Sequence, residues 1–316
     1  LQTVVCSFQQ FVVVVPALAA VPFGIPATVF WMYVCAAVIL VIGLVKIFGE
    51  LRQANGVDKV MPFGRLFFAI PLAVFGSEHF TLTASIAALV PRKIPAHTFW
   101  VYLVGVAFIC AALSIATLVQ ARLAAALVGM TFLIFVLTMD LPGTIASPHN
   151  RFNWALTLRE LAFSGGAFAL ALWGTRSGQS SPAKRNAVWS AIPRFFIGIP
   201  ALFYGVQHLL HPEYAPGVPL KMLTPNWIPG RLVLSYFVGL ILILAGVCLL
   251  INKKARTAAT ALGLTILLTV LWIYLPMLIA APKDLVALNF FFDTLLFCGA
   301  ILLLANSLNK EPAVQK

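Results

Sequence analysis

Long apolar runs at 4–22, 27–48, 63–80, 98–119, 122–141, 152–174, 192–210, 231–251, 257–280 and 286–306 leave this chain few ways to fold. Several exceed the ~20 residues that cross the hydrocarbon core of a bilayer as helix. In lipid every backbone N–H and C=O must be satisfied internally, which such runs achieve as α-helices. Composition agrees, because 61% of residues are hydrophobic and only 9% are charged, against about a quarter charged in soluble domains. The expected fold is all-α, a polytopic transmembrane bundle of about ten helices.

A net charge of +12 would suggest nucleic acid in a soluble protein. Here the cations sit in short loops between spans and follow the positive-inside rule instead. With both termini cytoplasmic, fourteen Lys and Arg fall inside and seven outside. All five histidines (His79, His97, His149, His208, His211) then lie at the outer side. So do Glu78, Asp140, Glu160, Glu213, Asp284 and Asp293, leaving Glu50, Asp58 and Glu311 inside. The cysteines Cys6, Cys35, Cys110, Cys248 and Cys298 lie in apolar runs, are odd in number and form no CxxC pair. They are expected to be buried and structural, and thiol–disulfide chemistry is disfavoured. The N-terminus lacks the basic region of a signal peptide.

Two stretches of the chain match in order. Arg65-Leu-Phe-Phe-Ala-Ile-Pro71 echoes Arg194-Phe-Phe-Ile-Gly-Ile-Pro200, and Phe75-Gly-Ser-Glu-His-Phe80 echoes Tyr204-Gly-Val-Gln-His-Leu209. Ile94-Pro95 matches Ile228-Pro229, Tyr102 and Gly105 match Tyr236 and Gly239, and Arg122 matches Arg256. Asp140-Leu-Pro142 stands where Tyr274-Leu-Pro276 does. A partial third echo links Ile25–Tyr33 to Ile94–Tyr102. Both units begin from the same side, so they are parallel repeats rather than the inverted pairs of many transporters. The expected divisions are an N-terminal hairpin (1–59), a first four-helix unit (60–176), a cytoplasmic linker (177–189) and a second unit with a short tail (190–316).

A four-helix unit whose first span opens on Arg and ends in a polar dyad, followed by a Pro-marked re-entry, resembles the DoxX-like integral membrane proteins. The resemblance covers roughly 60–306, once per repeat. It implies a four-helix bundle and a redox-associated role, with quinone as cofactor or ligand. It also implies other membrane or redox subunits as partners, and supplies no catalytic residue. The expected location is the bacterial cytoplasmic membrane.

Two constellations carry candidate chemistry. Glu78-His79 and Gln207-His208 occupy matching places near the outer end of each unit's first helix. They serve either as C-terminal caps that satisfy free carbonyls or as ligand and proton-relay groups. A haem b held by His79 and His208 requires the repeat axis to bring the rings face to face. The second constellation is Asn153, Thr157, Glu160 and Ser164, on one helical face beside Arg159, with Asn289 and Asp293 as its counterpart in the other unit. Acids inside a span normally face a partner or cavity. Glu160's neighbourhood, Glu78, Asp140 and Asp293 all remain open as partners of Arg159. A metal set of His208, His211 and Glu213 has one-turn spacing but is interrupted by Pro212. Asp140–Gly143 reads as part of a solvated outer rim. The function these features favour is a redox-associated membrane subunit binding a quinone or similar amphipathic ligand near the outer face. The alternatives are a noncatalytic scaffold of a membrane complex, or a carrier of a small solute or lipid.

Overall fold

A computed structural model describes residues 24–173, 187–218 and 220–308. The expected first span with Cys6, the linker up to residue 186 and the C-terminal tail lie outside the described residues. The chain is an all-α polytopic bundle. Its long helices are α1 (Ala27–Gln53), α2 (Met61–Thr81), α3 (His97–Thr117), α4 (Ala121–Ala146), α5 (Arg151–Trp173), α6 (Ala187–Leu210), α7 (Arg231–Leu250), α8 (Ala255–Ala280) and α9 (Leu285–Ser307). Each coincides with one of the apolar runs. Among the described residues, eight helices are long and apolar enough to cross a membrane.

The duplication is visible in the backbone as well as in the sequence. Residues with positive φ recur 134 positions apart at both turns of each unit. Ala96 (56°) is matched by Gly230 (67°), Leu118 (65°) by Asn252 (56°), and Gln120 (54°) by Lys254 (48°). The third helix of each unit carries one π-helical turn at the corresponding place, Val136–Asp140 in α4 and Val270–Tyr274 in α8. Each turn runs into Leu-Pro, at Pro142 and Pro276. Proline lacks an N–H and clashes with the carbonyl four residues back; the wider turn relieves that clash without ending the helix. Asp140 and Tyr274 are the last residues of these turns, positions that π-bulges often give to functional side chains.

The two units are interlocked. The first helix of each lies against the fourth helix of the other, α2 against α9 and α6 against α5. The helices therefore form two five-membered rings, α2–α3–α4–α5–α9 and α6–α7–α8–α9–α5, which share the α5/α9 pair. Helix α1 packs outside the first ring on α2 and α3. Small residues allow these approaches, as expected where lipid competes equally for apolar surface. A Cβ on Gly165 would lie 2.8 Å from Phe196 Cβ, and one on the matching Gly299 would lie 2.6 Å from Phe68 N. Every residue of α9 from Phe292 to Ala305 is buried.

Buried and half-buried arginines tie the helices together at the end opposite the histidines. Arg65 meets Glu50 at 2.5 Å, Arg256 meets Asp58 at 2.7 Å, and Arg194 donates to the Leu249 carbonyl at 3.2 Å. The cysteines differ from expectation. Cys298 is buried, but Cys35 and Cys248 are half-buried and Cys110 lies exposed on α3. A thioether-sized apolar group facing lipid costs nothing, so an apolar run in a membrane does not imply burial within protein.

Candidate functional site

The polar face of α5 zips onto α4 over its whole length. Asn153 donates to the Gly143 carbonyl at 3.2 Å, the Thr144 and Thr157 hydroxyls meet at 2.7 Å, and Ser164 donates to the Gly129 carbonyl at 2.8 Å. Between them Glu160 lies beside Asp140 of the π-turn. Asp140 is thereby moved from the expected solvated rim into the bundle. The π-turn is what aims it inward.

One residue along, Arg159 lies on the α5/α9 seam. Its Nη1 is 2.6 Å from Asp293 Oδ2 and its Nη2 is 3.6 Å from Glu160 Oε1. Asp293 is therefore its partner. These two residues stand 134 positions apart, the same spacing as the repeated turns, so they are equivalent positions of the two units meeting on the pseudo-twofold axis. Opposite charges at one duplicated position make the interface complementary rather than repulsive. Gly166 and Ala300 are another such pair, where a Cβ on the glycine would stand 2.3 Å from Ala300 Cβ. Asn289, one turn before Asp293 on α9, lies beside Glu78 of α2. From α6, Tyr204 donates to the Ala155 carbonyl at 2.5 Å and lies within electrostatic reach of Arg159 and Asp293.

This cluster sits about 12 Å in from the helix starts, taking eight residues of α5 or α9 at 1.5 Å each. Arg159 and Glu160 nevertheless keep 20% and 16% of their side-chain surface accessible. Glu78, His79, Asp140 and Asn289 are also only half-buried. These six polar residues, drawn from α2, α4, α5 and α9 of the first ring, thus keep part of their surface accessible.

The second ring carries the same positions with different chemistry. Asp140 and Glu160 become Tyr274 and Thr294, whose hydroxyls donate to the Ala215 carbonyl at 3.4 Å and to the Phe290 carbonyl at 2.9 Å, and Glu78 becomes Gln207. The counterpart of Ser164 is Cys298, whose thiol meets the Gly263 carbonyl at 3.4 Å. The expectation that Asn289 and Asp293 copy the face of Asn153 and Glu160 is thus corrected. They lie in a different register and face α2 and α5.

Both histidines of the dyads are placed, but in separate rings. His208 is fully buried, and its Nε2 lies 3.0 Å from the Gly217 N–H and 3.1 Å from the Gly217 carbonyl oxygen. His79 Nδ1 donates to the Phe75 carbonyl at 2.7 Å, the capping contact, and its ring stands edge-on to Phe108. Bridging of one haem by the two is ruled out by this arrangement, since the backbone of Gly217 occupies His208 Nε2. The metal set also disperses. His211 pairs with Glu213 at 3.4 Å on an exposed loop, while His208 turns into the bundle. Among the described residues no three His, Cys, Asp or Glu converge as a metal site. Tyr204, Tyr274 and Thr294 are members that sequence reasoning did not single out, and Asp140 entered it only as a rim residue and a possible partner of Arg159.

No family model, no curated protein and no solved structure matches this chain.

Proposed function

We propose that this chain is an integral membrane subunit of a redox system whose first ring binds the polar head of an amphipathic, hydrogen-bond-donating ligand, a quinol. Glu78, Asp140, Glu160 and Asp293 exchange protons with that head, and Arg159 supplies the fixed positive charge that keeps the acids together. Asn153 holds the end of α4 in place, while Gln207 and His208 belong to the second ring and do not touch the ligand.

One observation carries this reading. Among the described residues, five buried atoms of the cluster find no hydrogen-bond partner: Glu78 Oε1, Asp140 Oδ2, Glu160 Oε2, Asn289 Oδ1 and Arg159 Nε. Unpartnered buried polar atoms cost about 1–3 kcal/mol each, so natural proteins keep few of them. Four of the five are acceptors or acids, which suits a head with hydroxyl donors. The DoxX-like resemblance of the unit supports a quinone connection independently. The exposed apolar flanks of α1, α3, α4 and α7 suit a lipid-soluble ligand that enters from the bilayer.

The test is titration of the purified protein in nanodiscs with decylubiquinol, read by tryptophan fluorescence. The expected result is saturable binding that Asp140→Asn and Glu160→Gln each weaken at least tenfold, while Gln207→Ala leaves it unchanged. Quenching that follows lipid partitioning alone, or is the same in all variants, would overturn the proposal.

A further inference from the structure

The two rings differ most at the histidine end. The loop joining α2 to α3 is residues 82–96, and that joining α6 to α7 is residues 211–230, longer by five residues. The extra length builds a small hairpin. Ala215 N–H donates to the Met222 carbonyl at 2.8 Å, and Thr224 N–H donates to the Glu213 carbonyl at 3.0 Å. Its tip turns into the second ring, where Ala215, Val218 and Leu220 are at most 2% exposed. There Gly217, at φ 137°, rests on three side chains. His208 Nε2 meets its peptide groups, and a Cβ on it would stand 3.1 Å from the Tyr274 hydroxyl and 3.2 Å from the Thr294 hydroxyl. Only glycine has both the conformation and the size for this seat. The first loop does otherwise. Its short helix Thr83–Ala87 packs on α2 and α3, and residues 82–96 are exposed or half-buried throughout.

The repeat, offset by 129 residues before the longer loop and by 134 after it, converts His208, Tyr274 and Thr294 into His79, Asp140 and Glu160. We infer that these three residues form the head-group subsite of the first ring, and that the Gly217 hairpin is the chain's own occupant of the duplicate subsite. In the second ring the occupant is the small backbone at Gly217: His208 Nε2 either accepts its N–H or donates to its carbonyl, according to the tautomer, and its Cα faces the hydroxyls of Tyr274 and Thr294. The ligand of the first ring accordingly presents a flat head with at least one O–H or N–H donor toward Asp140 and Glu160, and a second polar atom toward His79 Nε2. Among the described residues that nitrogen makes no hydrogen bond. The floor beneath it is aromatic, with Phe108 edge-on to His79 and 5.4 Å from Phe132, which contacts Phe163 of α5. A flat ring with para hydroxyls meets each of these demands. This assignment rests on the quinol reading for the identity of the ligand, but not for the location of the subsite.

The experiment separates the two. In full-length protein whose native cysteines are replaced by alanine, His79→Cys and His208→Cys are made singly and reacted with N-ethylmaleimide in nanodiscs. The thiol at 79 should react at least tenfold faster than the one at 208, and decylubiquinol should slow it at least fivefold. Equal rates, or faster reaction at 208, would overturn the subsite. Fast reaction at 79 that decylubiquinol leaves unchanged would uphold the open subsite and overturn the quinol as its occupant. Unmodified protein gives a check that needs no variant. Dicyclohexylcarbodiimide should label Asp140 or Glu160, located by peptide mass, and decylubiquinol should protect them. Absence of label on both would overturn the subsite.

Discussion

Replacing Arg159 with methionine should destabilise the protein by about 3–5 kcal/mol, the usual cost of stripping one partner from a buried ion pair. Asp293 is 5% exposed and makes its 2.6 Å contact with Arg159 alone. Removing the guanidinium also takes from Glu160 and Glu78 the positive charge that, among the described residues, lies near them. Carboxylates cannot remain ionised there without compensation. The pair joins α5 to α9, so the loss is felt at the seam the two rings share. The double variant Arg159→Met with Asp293→Leu should cost about 2–3 kcal/mol less than the sum of the singles, because it leaves no orphaned charge between those positions. Chemical unfolding in detergent measures all three. A single-variant loss under 1 kcal/mol would show that the seam does not depend on this pair. Exposed surface pairs typically contribute only about 0–1 kcal/mol, so burial is what sets the scale.

Gly166→Leu should be the most disruptive apolar substitution in the chain, with a loss of about 3 kcal/mol or more. Its Cβ would stand 2.3 Å from Ala300 Cβ and 2.4 Å from Ala300 Cα. The second atom is backbone, so no rotamer change relieves the clash, and α5 and α9 must separate. Even Gly166→Ala should lose stability. The contrast is Gly143→Ala, where nothing lies within 4 Å. There the removal of a flexible residue from a helix should be neutral or stabilising by about 0.5–1 kcal/mol. Thermal unfolding of the two alanine variants should therefore move in opposite directions. A gain for both would refute the close α5/α9 contact.

Much of this architecture was legible in the sequence, because each span is a long uninterrupted apolar run and length alone fixes a helix in lipid. The expected boundaries agree with the helices to within a few residues, as at 231–251 against Arg231–Leu250. The polar face of α5 was also legible, since the spacing of Asn153, Thr157, Glu160 and Ser164 is helical, and Asn153, Thr157 and Ser164 all bond to α4. The interlocking of the units was not. Periodicity shows which face of a helix is small or polar, not which helix it meets, and Gly165 and Gly299 fit a partner from either unit. Asp140 was misplaced for a local reason. Its Leu-Pro neighbour reads as the end of a helix, whereas a π-turn carries the helix past Pro142. The alignment with Tyr274-Leu-Pro276 held the clue, because an acid matched to a tyrosine within a span marks a position that faces inward. The seat of Gly217 had no sequence signal beyond a loop five residues longer than its counterpart.

The account turns on an asymmetry between duplicated rings, one offering a subsite to a ligand and the other filled by the chain itself. A high-resolution cryo-electron microscopy map of the protein extracted with its native lipid tests this most directly. The map should show non-protein density of flat, ring-like shape between His79, Asp140 and Glu160, and the Gly217 peptide at the matching place beside His208. A first ring closed by the protein's own side chains, or the same lipid density in both rings, would contradict it.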